Sequence, residues 1–146
     1  MPTELKFNIK YRVPVRIIYD ALTNPTEITR FTQSVAKFDK SEGGAFSFYD
    51  GFITGVNEKL EENKKIVQKW KFNNWKDQAD LTLTFKEKEG DECLVSVSLK
   101  NIPERDTFNQ FVDLPNLEQG FRGQIFEKIS KFLGYPMKND VESDDE

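Results

Sequence analysis

Histidine does not occur in these 146 residues, and cysteine occurs once. Without imidazole, the commonest general base near neutral pH is missing, and Ser/His pairs, Cys/His pairs and imidazole metal ligands go with it. Cys93 has no second thiol for an intramolecular disulfide and falls on the apolar side of a predicted strand, where it serves as a small hydrophobe rather than a nucleophile. No run approaches the roughly 20 consecutive apolar residues of a membrane span, and no N-terminal apolar segment leads to a small-residue cleavage site. Gly43-Gly44 and Gly51/Gly55 lack the spacing and the following Gly-Lys-Ser/Thr of a phosphate-cradling loop. These absences predict a cytoplasmic protein, not integral to a membrane, with no catalytic residues, no cofactor and no metal site.

A net basic face is lacking as well. The formal charge of −4 is carried by the last nine residues, where Lys138 stands against Asp140, Glu142, Asp144, Asp145 and Glu146. The rest of the chain balances its charges, which argues against a nucleic-acid partner. Residues 138–146 have no apolar periodicity and are expected to form a disordered acidic tail on a single domain spanning 1–137.

Large apolar side chains are abundant: 37% of residues are hydrophobic and thirteen are Phe, enough to order a core. Leu5 to Val13 alternates apolar and polar residues, the period of a strand with one buried face. After Pro14, the positions of Val15, Ile18, Tyr19 and Leu22 have helical spacing. Asn24-Pro25-Thr26-Glu27 offers a capping start for a second short helix. Gly43-Gly44 opens a strand carrying Phe46 and Phe48, and Asp50-Gly51 supplies a positive-φ hairpin pair, so 44–49 and 52–60 should be paired strands. Ile66, Gln68, Trp70 and Phe72 share one strand face. Ala79 to Phe85 and Cys93 to Leu99 alternate likewise and should make a long hairpin.

After an irregular stretch from Asn101 to Pro115, the residues Leu117, Phe121, Ile125, Ile129, Phe132 and Leu133 trace the stripe of one long helix, which Gly134 and Pro136 end. The fold class predicted is α+β: an antiparallel sheet of about six to seven strands wrapped around a long C-terminal helix, with two short helices after the first strand, a helix-grip arrangement.

Two stretches carry a resemblance. Gly43-Gly44-Ala45-Phe46 through Phe52-Ile53-Thr54-Gly55, and Asn63-Lys64-Lys65-Ile66-Val67-Gln68-Lys69-Trp70-Lys71-Phe72 with Trp75, resemble the C-terminal domain of the activators of heat-shock protein 90 ATPase. The closing Leu133-Gly134-Tyr135 is similar to that family's Phe-Gly-Tyr. The resemblance implies a co-chaperone module, not an enzyme, that docks on heat-shock protein 90 and favours its closed, ATP-hydrolysing dimer. Full-length family members also carry an N-terminal domain, which these 146 residues do not encode.

The residues themselves offer two candidate sites. Lys64, Lys65, Lys69 and Lys71 would present positive charge along one strand to an acidic partner, and Trp75, in the loop beyond, would be a partly exposed anchor. Alternatively, Phe46, Phe48, Trp70, Phe85 and Phe121 could line a helix-grip cavity for a lipid or other small hydrophobic molecule, although so many rings favour a filled core. Phe108 and Phe111 should either cover the core or stand out as anchors.

Overall fold

A computed structural model describes residues 3–138. Its eight-stranded sheet has the order β2-β3-β4-β5-β6-β7-β1-β8, and every neighbouring pair is antiparallel. In chain order the elements are β1 (Leu5–Tyr11), α1 (Val15–Thr23), α2 (Pro25–Thr32), β2 (Lys37–Phe38), β3 (Gly44–Phe48), β4 (Ile53–Glu61), β5 (Lys65–Phe72), β6 (Ala79–Lys88) and β7 (Glu92–Lys100). A continuous helix over 114–133 follows, made of α3 (Leu114–Phe121), a π turn (Arg122–Phe126) and α4 (Glu127–Leu133), and β8 (Met137–Lys138) closes the sheet. The α+β helix-grip architecture is as expected from the sequence.

Period-two strands place alternate residues on opposite faces, and here one face is apolar throughout. Phe7 and Ile9, Phe46 and Phe48, Ile66 and Trp70, Leu81, Leu83 and Phe85, and Val95, Val97 and Leu99 all lie on the helix-covered face and are buried. The helix answers with Leu117, Phe121, Ile125, Phe126 and Ile129. Asn24 caps α2 by accepting a hydrogen bond from the Thr26 amide at 3.0 Å. Glu27 does not complete a capping box but pairs with Arg30 at 3.0 Å.

Three details differ from the sequence reading. The sheet gains two two-residue edge strands, β2 and β8. The first hairpin turn recruits Tyr49 as well as Asp50 and Gly51, all three at positive φ (56°, 53° and 96°). The long helix is interrupted by the π turn, which turns both Ile125 and Phe126 inward while Phe132 and Leu133 are only partly buried. The expected tail lies outside the described residues except for Lys138, which pairs with Lys10 in the sheet.

A π turn disrupts the regular i to i−4 ladder, and two tyrosines meet carbonyls there. The Tyr11 hydroxyl donates to the Phe126 carbonyl at 2.7 Å, and the Tyr49 hydroxyl donates to that of Gln124. Burial raises both phenols, Tyr49 to about 12 and Tyr11 well above its ordinary value. A raised phenol pKa stabilises the fold fully below the unfolded value of about 10, and that contribution is lost as pH rises toward the folded value. The urea midpoint is therefore expected to hold steady up to about pH 9 and to fall beyond about pH 10. In the folded protein neither group should give phenolate absorbance near pH 10, and titration of either there without unfolding would contradict this.

Candidate functional site

Strand β5 carries most of the predicted contacts. Its even positions, Ile66, Gln68 and Trp70, are buried, so Lys65, Lys69 and Lys71 emerge on the outer face of the sheet, with Lys64 exposed at the strand's start. The antiparallel register sets Lys69 opposite Asp80 on β6. The Lys69 ammonium donates to one oxygen of that carboxylate, and Asn101 Nδ2 donates to the other. The hydrogen bond to Asp80 holds the Lys69 pKa above its usual value, while those from Lys69 and then Asn101 hold Asp80 below the usual carboxylate range.

Lys69 is thereby neutralised locally, although a pair this exposed contributes only about 0–1 kcal/mol. Lys71 Nζ is turned along the sheet to the Trp75 carbonyl at 3.0 Å. Among the described residues, neither Lys64 nor Lys65 has a side-chain hydrogen bond or ion pair, although Glu61, paired with Lys59 at 2.9 Å, lies beside them. The strand is therefore less positive than its sequence suggests.

The expected exposure of Trp75 is corrected by the structure. Its side chain is 3% exposed and packs edge to face against Trp70 and Phe72, with ring centroids 5.7 and 5.3 Å apart. The Trp75 amide donates to the Phe72 carbonyl at 3.0 Å, folding the loop back under the sheet so that the indole extends the core. Any contact at this position would have to come from the backbone around it.

The predicted cavity is filled. Trp70 stacks on Phe121 at 4.7 Å, joining β5 to the long helix. Phe46 is wedged between Phe38 and Phe48, and Phe85 meets Tyr19 edge on at 5.5 Å. The space remaining between helix and sheet, bordered by Phe48, Trp70 and Phe121 but not by Phe46 or Phe85, measures about 20 Å³. Ligand pockets run to roughly 300–1,000 Å³, and this space accommodates about one water. A lipid has no room in this arrangement. Cys93 is fully buried, and burial pushes its thiol up to about 12, so it stays protonated at neutral pH.

Phe108 and Phe111 do not cover the core: they stand 74% and 65% exposed. Val35 and Phe52 are also exposed, and the sequence reading singled out neither. Val35 lies in the loop before β2, and Phe52, expected to open the strand over 52–60, lies in the hairpin turn just before β4. No helix among the described residues is long and apolar enough to cross a membrane.

A family model described as "Activator of Hsp90 ATPase homolog 1-like protein" matches residues 12–134. The chain is 32% identical over 136 residues to the "Activator of 90 kDa heat shock protein ATPase homolog" of Dictyostelium discoideum, a match covering 92% of this chain and 34% of that protein. It is 30% identical over 120 residues to the human "Activator of 90 kDa heat shock protein ATPase homolog 1", covering 81% of this chain and 33% of the other. The chain thus spans about a third of the length of these curated relatives. An HSP90 activator from Plasmodium falciparum superposes with a TM-score of 0.87 at 29% identity, over 92% of this chain and 99% of that one. CalU16 from Micromonospora echinospora, at 21% identity and a TM-score of 0.70 over 89% of this chain and 75% of its own, shares the fold.

Proposed function

Because the chain belongs to the Activator of Hsp90 ATPase homolog 1-like family, we propose that it is a co-chaperone domain, not itself an enzyme, that binds heat-shock protein 90 and raises its ATPase rate by favouring the closed dimer. The observation that carries this reading is the superposition on the Plasmodium HSP90 activator, which accounts for 99% of that solved chain with one domain of this kind. The filled interior supports it further, since a solid domain acts through its surface.

The physical requirement is differential affinity. A ligand that binds open and closed states equally shifts nothing, whereas tenfold tighter binding to the closed state moves the equilibrium by about 1.4 kcal/mol. Lys64 and Lys65, without partners of their own among the described residues, supply long-range attraction to an acidic region of the chaperone.

The steady-state ATPase rate of heat-shock protein 90, titrated with this chain at two salt concentrations, tests the proposal. Saturable stimulation that requires more protein at the higher salt is the expected result. No stimulation together with no heat of binding in calorimetry overturns it.

A further inference from the structure

The helices pack on one face of the sheet, and on the other face the side chains that alternate with the buried ones are exposed or partly exposed. Charge is unevenly distributed there. Across β1, β5, β6, β7 and β8 the outward positions hold nine lysines and two acids, Asp80 and Glu92. In β2 to β4, Lys37 and Lys59 are matched by Glu58 and Glu61. Residues 3–138 as a whole are close to neutral, so the remaining surface carries acids in excess. A merely solvated face mixes both signs, whereas a field of one sign steers a charged partner.

Only part of this charge is compensated where it stands. Lys6 lies 3.9 Å from Glu4, Lys138 lies 3.1 Å from Glu92, and Lys69 is held by Asp80. Lys10, Lys65, Lys86, Lys88 and Lys100 make no hydrogen bond or ion pair with another described residue, and Lys71 meets a carbonyl alone.

The register concentrates the charge further. Lys10 stands directly opposite Lys138 across β1 and β8, and the same row runs through Leu94 to Lys86. Like charges set opposite each other destabilise a sheet, so folding alone does not favour this row. An open recess of about 520 Å³ adjoins it, with Lys10, Lys88 and Lys138 on its wall beside Asn8, Glu89 and Glu92. Acids return in the turns at this end of the strands, at Glu62, Glu89 and Asp91, so the positive surface is the open face and not its edge.

These features select the occupant. Nucleic-acid surfaces favour Arg and aromatic rings, and the outward positions of the sheet carry neither. Binding to a bilayer buries apolar side chains, and here Val56, Val67 and Leu94 are only partly exposed. A two-fold pair of copies would set the face against itself. Lysines among Thr82, Thr84, Ser96 and Ser98 suit a hydrated protein surface rich in carboxylates.

Resting on the function proposed above, we infer that the open face of the sheet, centred on Lys10, Lys86 and Lys138, is where an acidic surface of heat-shock protein 90 docks. Lys65 of β5 belongs to one side of this surface.

Calorimetric titration of heat-shock protein 90 with the full chain and with two double variants tests the inference. Lys10→Glu/Lys86→Glu is expected to weaken binding by about tenfold or more at low salt and by less at high salt. Lys128→Glu/Lys131→Glu makes the same change of charge on the helix side and is expected to weaken it by less than about threefold. Because Lys10→Glu replaces a repulsion with Lys138 by an attraction, the first variant should melt no lower than the unaltered chain. Lys10→Gln/Lys86→Gln, which only removes charge, decides should the reversal fail to fold. Equal weakening by both reversals reduces the effect to net charge and overturns the inference. Unchanged affinity in the face variants, with normal binding by the unaltered chain, overturns it too and leaves the proposed function standing. No binding by the unaltered chain overturns both. Loss in the face variants of anionic-vesicle binding or of self-association, with chaperone binding kept, gives the face to a lipid surface or a second copy and overturns the inference.

Discussion

Trp70→Ala is expected to lower the free energy of unfolding by about 3–5 kcal/mol, a large share of the roughly 5–15 kcal/mol available to a domain of this size. The side chain is 2% exposed and sits where the sheet meets the helix. Its indole stacks on Phe121 at 4.7 Å and 25° and meets Phe72 and Trp75 edge to face, so truncation opens a hole between the long helix, β5 and the loop beyond it. The loss combines the transfer term of the removed ring with the cavity left behind. Trp70→Phe keeps the stack and should cost markedly less. Urea unfolding of the two variants measures the difference, and a loss below about 1 kcal/mol for Ala would show that the core closes over the gap.

Gly55→Ala is expected to be as damaging, although it adds a single methyl group. A Cβ built at Gly55 would lie 1.9 Å from the Lys69 carbonyl oxygen and 2.6 Å from the Phe46 ring. Phe46 and Trp70 are the cross-strand neighbours of Gly55 on its two sides, and the empty position is what lets both large residues turn inward together. The closer obstacle is backbone, which cannot rotate away as a side chain can. Strands β4 and β5 would have to part, at a cost of about 3 kcal/mol or more, the upper end of overpacking effects. Gly120→Ala provides the contrast. Nothing lies within 4 Å of its added Cβ, and a helical Gly→Ala change should stabilise by up to about 1 kcal/mol. If the two substitutions proved alike in their melting temperatures, the steric account of Gly55 would fail.

The sheet was legible because its strands are long enough to show their period. Leu5–Tyr11 and the β6–β7 hairpin run seven to ten residues with one apolar face, and strict alternation over that length is incompatible with the 3.6-residue period of a helix. Lys37–Phe38 and Met137–Lys138 are two residues each and carry no period to read. The π turn was equally hidden, since one added residue in a helix hardly disturbs an i, i+4 pattern such as Phe121, Ile125, Ile129.

The candidate site was less legible than the fold for a related reason. That four lysines crowd one strand is visible in sequence, but Lys69 meets Asp80 only through the cross-strand register. Trp75 follows a polar pair, Asn73-Asn74, in a loop, and sequence gives no sign that the loop folds back beneath Trp70. Phe108 and Phe111 sit in a stretch without periodicity, where the choice between covering the core and facing solvent depends on the hydrogen bonds that Asp106 accepts and on Arg105, which lies over the Phe111 ring.

The π turn also bears on how this helix tolerates changes in chain length. Elsewhere in a helix, deleting one residue rotates everything downstream by about 100° and would swing Ile129 off the sheet. A π turn holds one residue more than the α geometry between the same two flanking halves requires. Losing one residue within 122–126 would therefore return the segment to a regular helix while α3 and α4 kept their orientation toward the sheet, with only the tyrosine contacts to the Gln124 and Phe126 carbonyls to be remade. In this buried helix, those five positions are where a deletion can be absorbed locally.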